Sequence, residues 1–220
     1  MRRVFRHNGL SMAMFVLFAL FIVLMSFVGH RQYNEDQTEH GEKTVGYVGY
    51  VTSGSFVEAV FENWESEFLQ MGAFVLLTVW LRQKGSPESK KLEGAEPVDE
   101  DPRTADRDDA PWLARMGGVK LWLYERSLAS ALFALFAVSF LLHAAGGARE
   151  YSSEQLAHGG SAIGTFAYMT TSRFWFESFQ NWQSEFLAVG ALVVLSIYLR
   201  QRGSPESKPV AASHAETGTE

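Results

Sequence analysis

The 220 residues carry 19 Lys and Arg against 25 Asp and Glu, a formal net charge of −6, and show neither a basic face nor a nucleic-acid motif, which excludes nucleic acid as a partner. Cysteine is absent, so disulfides, thiolate metal ligands and cysteine nucleophiles are excluded as well. The apolar share of 47% would suit a soluble domain, but these residues are bunched into long runs, as membrane-crossing helices require.

The first run, residues 10–28, has no charged side chain and only Ser11 and Ser26 as polar ones. At about 1.5 Å per residue it reaches about 28 Å, against a bilayer core of about 30 Å, and it predicts a spanning helix. Arg2, Arg3 and Arg6 before it imitate a signal peptide. The run exceeds the usual h-region of about 7–15 residues and Gly29-His30-Arg31 is a poor cleavage site, so a retained anchor is expected.

The next apolar stretch, residues 68–81, is short for a span, and the missing length comes from upstream. Residues 56–82 read as one helix of about 40 Å whose outer third is amphipathic and whose Trp64 marks the membrane boundary. Ser55 and Glu58 are spaced as a capping box at its start. After it, Gly85 and Pro87 behind Arg82, Gln83 and Lys84 read as a helix stop.

Residues 92–111 hold eight acids and three prolines, too little apolar surface to offset the cost of ordering, so residues 91–111 are expected to be a disordered acidic linker. Trp112, Leu113, Met116, Leu121 and Trp122, mixed with Arg115 and Lys120, predict a short helix on the inner membrane surface. Residues 128–145 form another spanning run, interrupted only by Ser130, Ser139 and His143. A last helix carries the apolar run 186–199, with Ser172 as its expected cap, and residues 209–220 have the character of the linker.

Placed beside itself at an offset of 118, the chain aligns without a gap from Leu10/Leu128 to Lys90/Lys208. Asn63-Trp64, Ser66-Glu67-Phe68-Leu69 and Gly72-Ala73 recur as Asn181-Trp182, Ser184-Glu185-Phe186-Leu187 and Gly190-Ala191. The expected fold is therefore an all-α membrane protein of four transmembrane helices, built by internal duplication as two parallel pseudo-symmetric hairpins, residues 1–90 and 112–208. Thirteen Lys and Arg flank one face and four, Arg31, Lys43, Arg149 and Arg173, the other, which sets both termini in the cytoplasm. Gly72-Ala73 and Gly190-Ala191 are small mid-span residues suited to close helix approach, including that of a homo-oligomer.

The run Phe61-Glu62-Asn63-Trp64-Glu65-Ser66-Glu67-Phe68-Leu69-Gln70-Met71, followed by Lys84-Gly85-Ser86-Pro87-Glu88-Ser89-Lys90, resembles a family of small bacterial membrane proteins catalogued only as a domain of unknown function. The resemblance covers nearly the whole chain outside the linker and tail. It implies a multi-pass protein of the bacterial inner membrane and brings no ligand, cofactor or catalytic residue with it.

Two sets of residues stand out as candidate sites. Asn63, Ser66 and Glu67, with Asn181, Ser184 and Glu185, form matched polar stripes where amphipathic helix passes into apolar run. A carboxylate inside hydrocarbon costs roughly 2.5–3.5 kcal/mol on insertion scales, so the paired glutamates either line a cation or proton path or lie at headgroup depth. Arg31, Tyr33 and His40 match Arg149, Tyr151 and His158 in the outer loops. One histidine per loop lacks the spacing of a metal motif, and no metal or cofactor is expected. No phosphate loop, nucleophile elbow or HExxH is present, so an enzyme is not expected. The leading expectation is a structural or accessory protein bound to lipid or another membrane protein; the alternative is a small cation or proton conductor using Glu67 and Glu185.

Overall fold

The computed structural model describes residues 2–104 and 110–218, so that residues 105–109 of the acidic linker and the last two of the tail lie outside the described residues. Among the described residues the secondary structure is helical, with no strand. The helices are α1 (Arg2–Glu39), α2 (Tyr47–Val51), α3 (Gly54–Trp80), α4 (Gly118–Glu125), α5 (Ser127–Ala157), α6 (Thr165–Tyr168) and α7 (Ser172–Tyr198), with one 3-10 turn at Pro97–Asp99.

Two of them, α1 over Phe5–Glu39 and α5, are long and apolar enough to cross a membrane. Along α1 the large apolar side chains point outward, Phe15 being 72% exposed, as on a helix whose solvent is lipid. The 27 residues of α3 and of α7 match the expected helix lengths, but acids interrupt their apolar faces. The helix expected over the region of Trp112 is shorter than the sequence suggests: residues around Pro111 form turns, and only Gly118–Glu125 is helical. Proline removes a donor there, and Gly117-Gly118, with Gly118 at φ +69, resists continuation upstream.

Bounds and local bonds recur 118 residues apart. The limits of α3 and α7 do so at both ends. Gly41 and Gly159, and Gly85 and Gly203, share positive φ. Gly85 sits at the third position of a turn closed by Ser86 N–H to the Gln83 carbonyl at 3.2 Å, where φ of +87 favours glycine. It is thus a turn residue beyond the helix, which stops at Trp80, and not the helix's own C-terminal glycine. The caps also fall elsewhere than expected. Phe56 N–H donates to Ser53 Oγ at 3.2 Å and Phe174 N–H to Thr171 Oγ1 at 3.3 Å, so Ser53 and Thr171 cap these helices in place of Ser55 and Ser172. Each lies just outside the first turn, where a side-chain oxygen reaches the orphan amides.

The chain divides into two compact units, residues 1–61 with 142–174 and residues 62–141 with 175–220. In the first, α1 and α2 are tied by Ser26 Oγ and Tyr47 Oη at 2.7 Å and by stacking of Phe27 on Tyr47. Asn34 clasps both the N–H and the carbonyl of Val45, and Ser152 does the same to Ile163. Within this unit α3 and α5 cross at Gly54 and Gly146, where a Cβ on Gly54 would lie 2.6 Å from Glu150 N and 2.7 Å from Gly146 O. Only paired glycines permit two helix backbones so close.

In the second unit Gly72 packs against the Phe133 ring, 3.2 Å from where its Cβ would be, whereas Gly190 faces open space. Phe136, Phe140, Trp175, Phe179 and Trp182 form a chain of ring contacts. Residues of the tail fold onto the turn after α3: Gly85 N–H donates to Thr217 Oγ1 at 2.8 Å and Gly218 N–H to the Ser86 carbonyl at 3.1 Å. Lys208 Nζ donates to the carbonyls of Ser213, His214 and Glu216. Burial, with the Glu206 charge second, raises the Glu88 carboxyl above the ordinary glutamate range. The native state therefore holds a proton that the unfolded chain has already lost, and stability falls as pH rises past the unfolded value. Glu88→Gln should melt like the wild type near pH 3.5, below the unperturbed ~4.3, and above it near pH 8. Thermal unfolding at the two pH values checks this; equal shifts at both would contradict it.

Candidate functional site

The first unit contains an open cleft of about 580 Å³. Its walls come from the ends of α1 and α5, which run past their apolar stretches into polar sequence, and from the starts of α3 and α7. Asp36, Glu42, Glu58, Glu150 and Glu154 line it, and among the described residues Arg173 is the one guanidinium that does. Arg173 is committed to Glu154, 2.5 Å away, and lies over the Tyr151 ring. The remaining carboxylates give the cleft a negative field, the usual electrostatic lure for a cation. Glu150 also accepts the Ser55 N–H at 3.0 Å, which holds it across from the start of α3. Burial, and then the negative charge of Glu150, push the nearby Tyr50 hydroxyl up.

Glu58 is the innermost of these acids. Only 7% of its surface is exposed, and the Tyr168 hydroxyl donates to its Oε1 at 3.0 Å. The glycine crossing puts it there: one helical turn below Gly54, α3 is still close enough to α5 that a Cβ on Gly147 would fall 2.7 Å from Glu58 Oε1 and against the Tyr168 ring. His143, one turn earlier on α5, is fully buried and its ring packs 4.8 Å from that of Phe174. An imidazole nitrogen of His143 and a carboxylate oxygen of Glu58 lie within 4.8 Å of each other.

Of the expected outer-loop residues, Tyr33, His40 and His158 line this cleft. His40 Nδ1 and His158 Nδ1 each donate to a carbonyl four residues back, Asp36 at 2.8 Å and Glu154 at 2.7 Å, which leaves each Nε2 with its lone pair in the neutral ring. Arg31 and Arg149 are exposed and stand off the lining. Tyr151 packs on the Tyr168 ring at 5.8 Å.

The matched stripes of α3 and α7 lie in the second unit. Ser66 is buried and donates to the Asn63 carbonyl at 2.8 Å; Ser184 donates to that of Asn181 at 2.9 Å. Asn63, Glu67 and Ser184 are exposed, and Asn181 and Glu185 are half-buried. The acid that α3 buries completely is Glu65, which accepts the Trp182 indole N–H at 3.1 Å.

Glu58, His143, Tyr168, Glu150 and Glu154 escape sequence reasoning. One signal was available: the repeat fails at the two buried ionisable positions of this unit, since Glu58 stands opposite Phe176 and His143 opposite Met25. The supporting pair does recur, with Tyr50 against Gly29 as Tyr168 is against Gly147.

A protein-family model described as Domain of unknown function (DUF6766) matches residues 1–219. No curated protein and no solved structure matches the chain.

Proposed function

Starting from the fact that the chain belongs to this family of unknown function, we propose that it is a four-span membrane protein that takes up a small cation through the cleft, with Glu58 as the receiving carboxylate. The observation that carries this reading is Glu58 itself, a nearly enclosed acid at the floor of an acid-lined opening. A buried carboxylate below an opening lined by other acids stands where the field of the cleft draws a cation. α1 and α5 are long and apolar enough to cross the membrane, and on this reading α3 and α7 complete the four, their acids turned toward protein or the membrane surface.

On this reading the 118-residue recurrence is an internal duplication, and the second copy of the pair carries Phe176 and Met25 in place of the acid and the imidazole while keeping the Gly–Tyr support. The distribution of basic residues supports termini in the cytoplasm and a cleft on the outer side of a bacterial inner membrane. In the second unit Glu67 and Glu185 are the acids proposed to serve cation movement. The test is reconstitution of the purified chain into liposomes, with dyes for K⁺, Na⁺ and protons and an assay for zinc uptake. Cation movement above that of empty vesicles supports the proposal. No movement of any of the four, with a stoichiometric protein partner retained through purification, would replace it with the accessory role.

A further inference from the structure

We propose that Glu58, at the floor of the cleft, and His143, buried beside it, are protein ligands of a transition-metal site that takes zinc(II) or a similar borderline divalent ion. This rests on the uptake reading and narrows its substrate. Alkali and alkaline-earth cations are held by oxygen cages, whereas an imidazole beside a carboxylate suits zinc and its neighbours. The two ligand atoms are within 4.8 Å; a tetrahedral zinc with bonds of about 2.0–2.2 Å needs them roughly 3.4 Å apart, within the reach of a side-chain rotation.

The surroundings fit that use. Tyr168 donates to Glu58 and so aims the carboxylate, as outer hydrogen-bond partners do in metal sites. Phe174 packs on the His143 ring and fixes its plane. Gly147 carries no Cβ where one would press on Glu58 Oε1 and the Tyr168 ring, so the carboxylate keeps its place beside the tyrosine. The approach is provided by His40 and His158, whose Nδ1 atoms are engaged by backbone carbonyls and whose Nε2 atoms can meet the ion along the way.

The experiment is equilibrium dialysis of the full-length chain in detergent against zinc(II), with calcium(II) as the comparison, and cobalt(II) substitution followed in the visible spectrum. The wild type should bind zinc in preference to calcium. Glu58→Gln and His143→Gln should each weaken zinc by about 100-fold or more, beyond the ~10–100-fold of an outer partner such as Tyr168→Phe. His143→Cys should keep zinc and add a thiolate band to the cobalt spectrum, a result that a merely structural histidine would not give. Loss of zinc in both His143 variants, or unchanged binding in His143→Gln, would overturn the site. Potassium, sodium or proton flux with no zinc binding would overturn this inference and leave the uptake reading standing. Zinc bound at Glu58 and His143 with no flux of any cation would do the reverse.

Discussion

A leucine at Gly146 should leave little or no folded protein to purify. The Cβ alone would lie 2.5 Å from Glu58 N, 3.0 Å from Glu58 Cα and 3.0 Å from the Gly54 carbonyl. All three neighbours are backbone atoms of α3, which cannot rotate aside, so the two helices must part. Overfilling a packed site costs about 1–3 kcal/mol even where side chains can yield, and in lipid no hydrophobic drive pulls the helices back together. Gly146→Ala should already lower the melting temperature in detergent, and Gly146→Leu should abolish the cooperative transition. Gly190→Ala, at a position with nothing within 4 Å, should melt as the wild type does. A wild-type transition in Gly146→Leu would mean that the crossing is absent in the membrane.

Glu58→Gln should nearly abolish cation movement while leaving the fold in place. The amide keeps the shape and can still accept the Tyr168 hydroxyl, so little stability is lost. What disappears is the charge. Two unit charges at 4 Å interact by about 4 kcal/mol at an effective dielectric of 20, and at about 1.4 kcal/mol per decade that lowers occupancy by roughly 100- to 1000-fold. Glu58→Ala should fail differently, because it also strands the Tyr168 hydroxyl, at about 1–3 kcal/mol of stability. Liposome flux and thermal unfolding on the same preparations separate the two effects. Flux at the wild-type rate in Glu58→Gln would remove this residue from the path.

Much of the helical frame was legible from residue order. Apolar runs of about eighteen residues or more predict helices, and α1, α3, α5 and α7 lie where the runs and their upstream extensions place them. Exact repetition at one offset made the paired lengths of α3 and α7 readable as well. Rotation about a helix axis was not. Glu65 and Glu67 are two residues, about 200°, apart on α3, so one faces in when the other faces out. Sequence offers no sign of which: Glu67 recurs as Glu185, while the buried Glu65 faces Gln183 in the repeat.

Tertiary contact decided the cleft too. Ser55 and Glu58 have the spacing of a capping box, but Ser53 holds the cap and Glu150 takes the Ser55 amide. Glu58 is thereby released to turn inward to a tyrosine 110 positions away. His40 and His158 were recognisable as a matched pair. The acids that share their cleft come from three helices and a loop, and no local spacing links them.

Four membrane-crossing helices, as proposed, would leave the ends of α1 and α5 on one side of the membrane and the chain that follows α3 and α7 on the other. The chain has no native cysteine, so single cysteines at the exposed positions Glu39, Lys84, Ala157 and Arg202 report their side without background. An impermeant thiol reagent added to intact cells should label the Glu39 and Ala157 positions, and label those of Lys84 and Arg202 only after the membrane is opened. Labelling of the Lys84 or Arg202 position from outside, or of all four positions alike, would contradict the account.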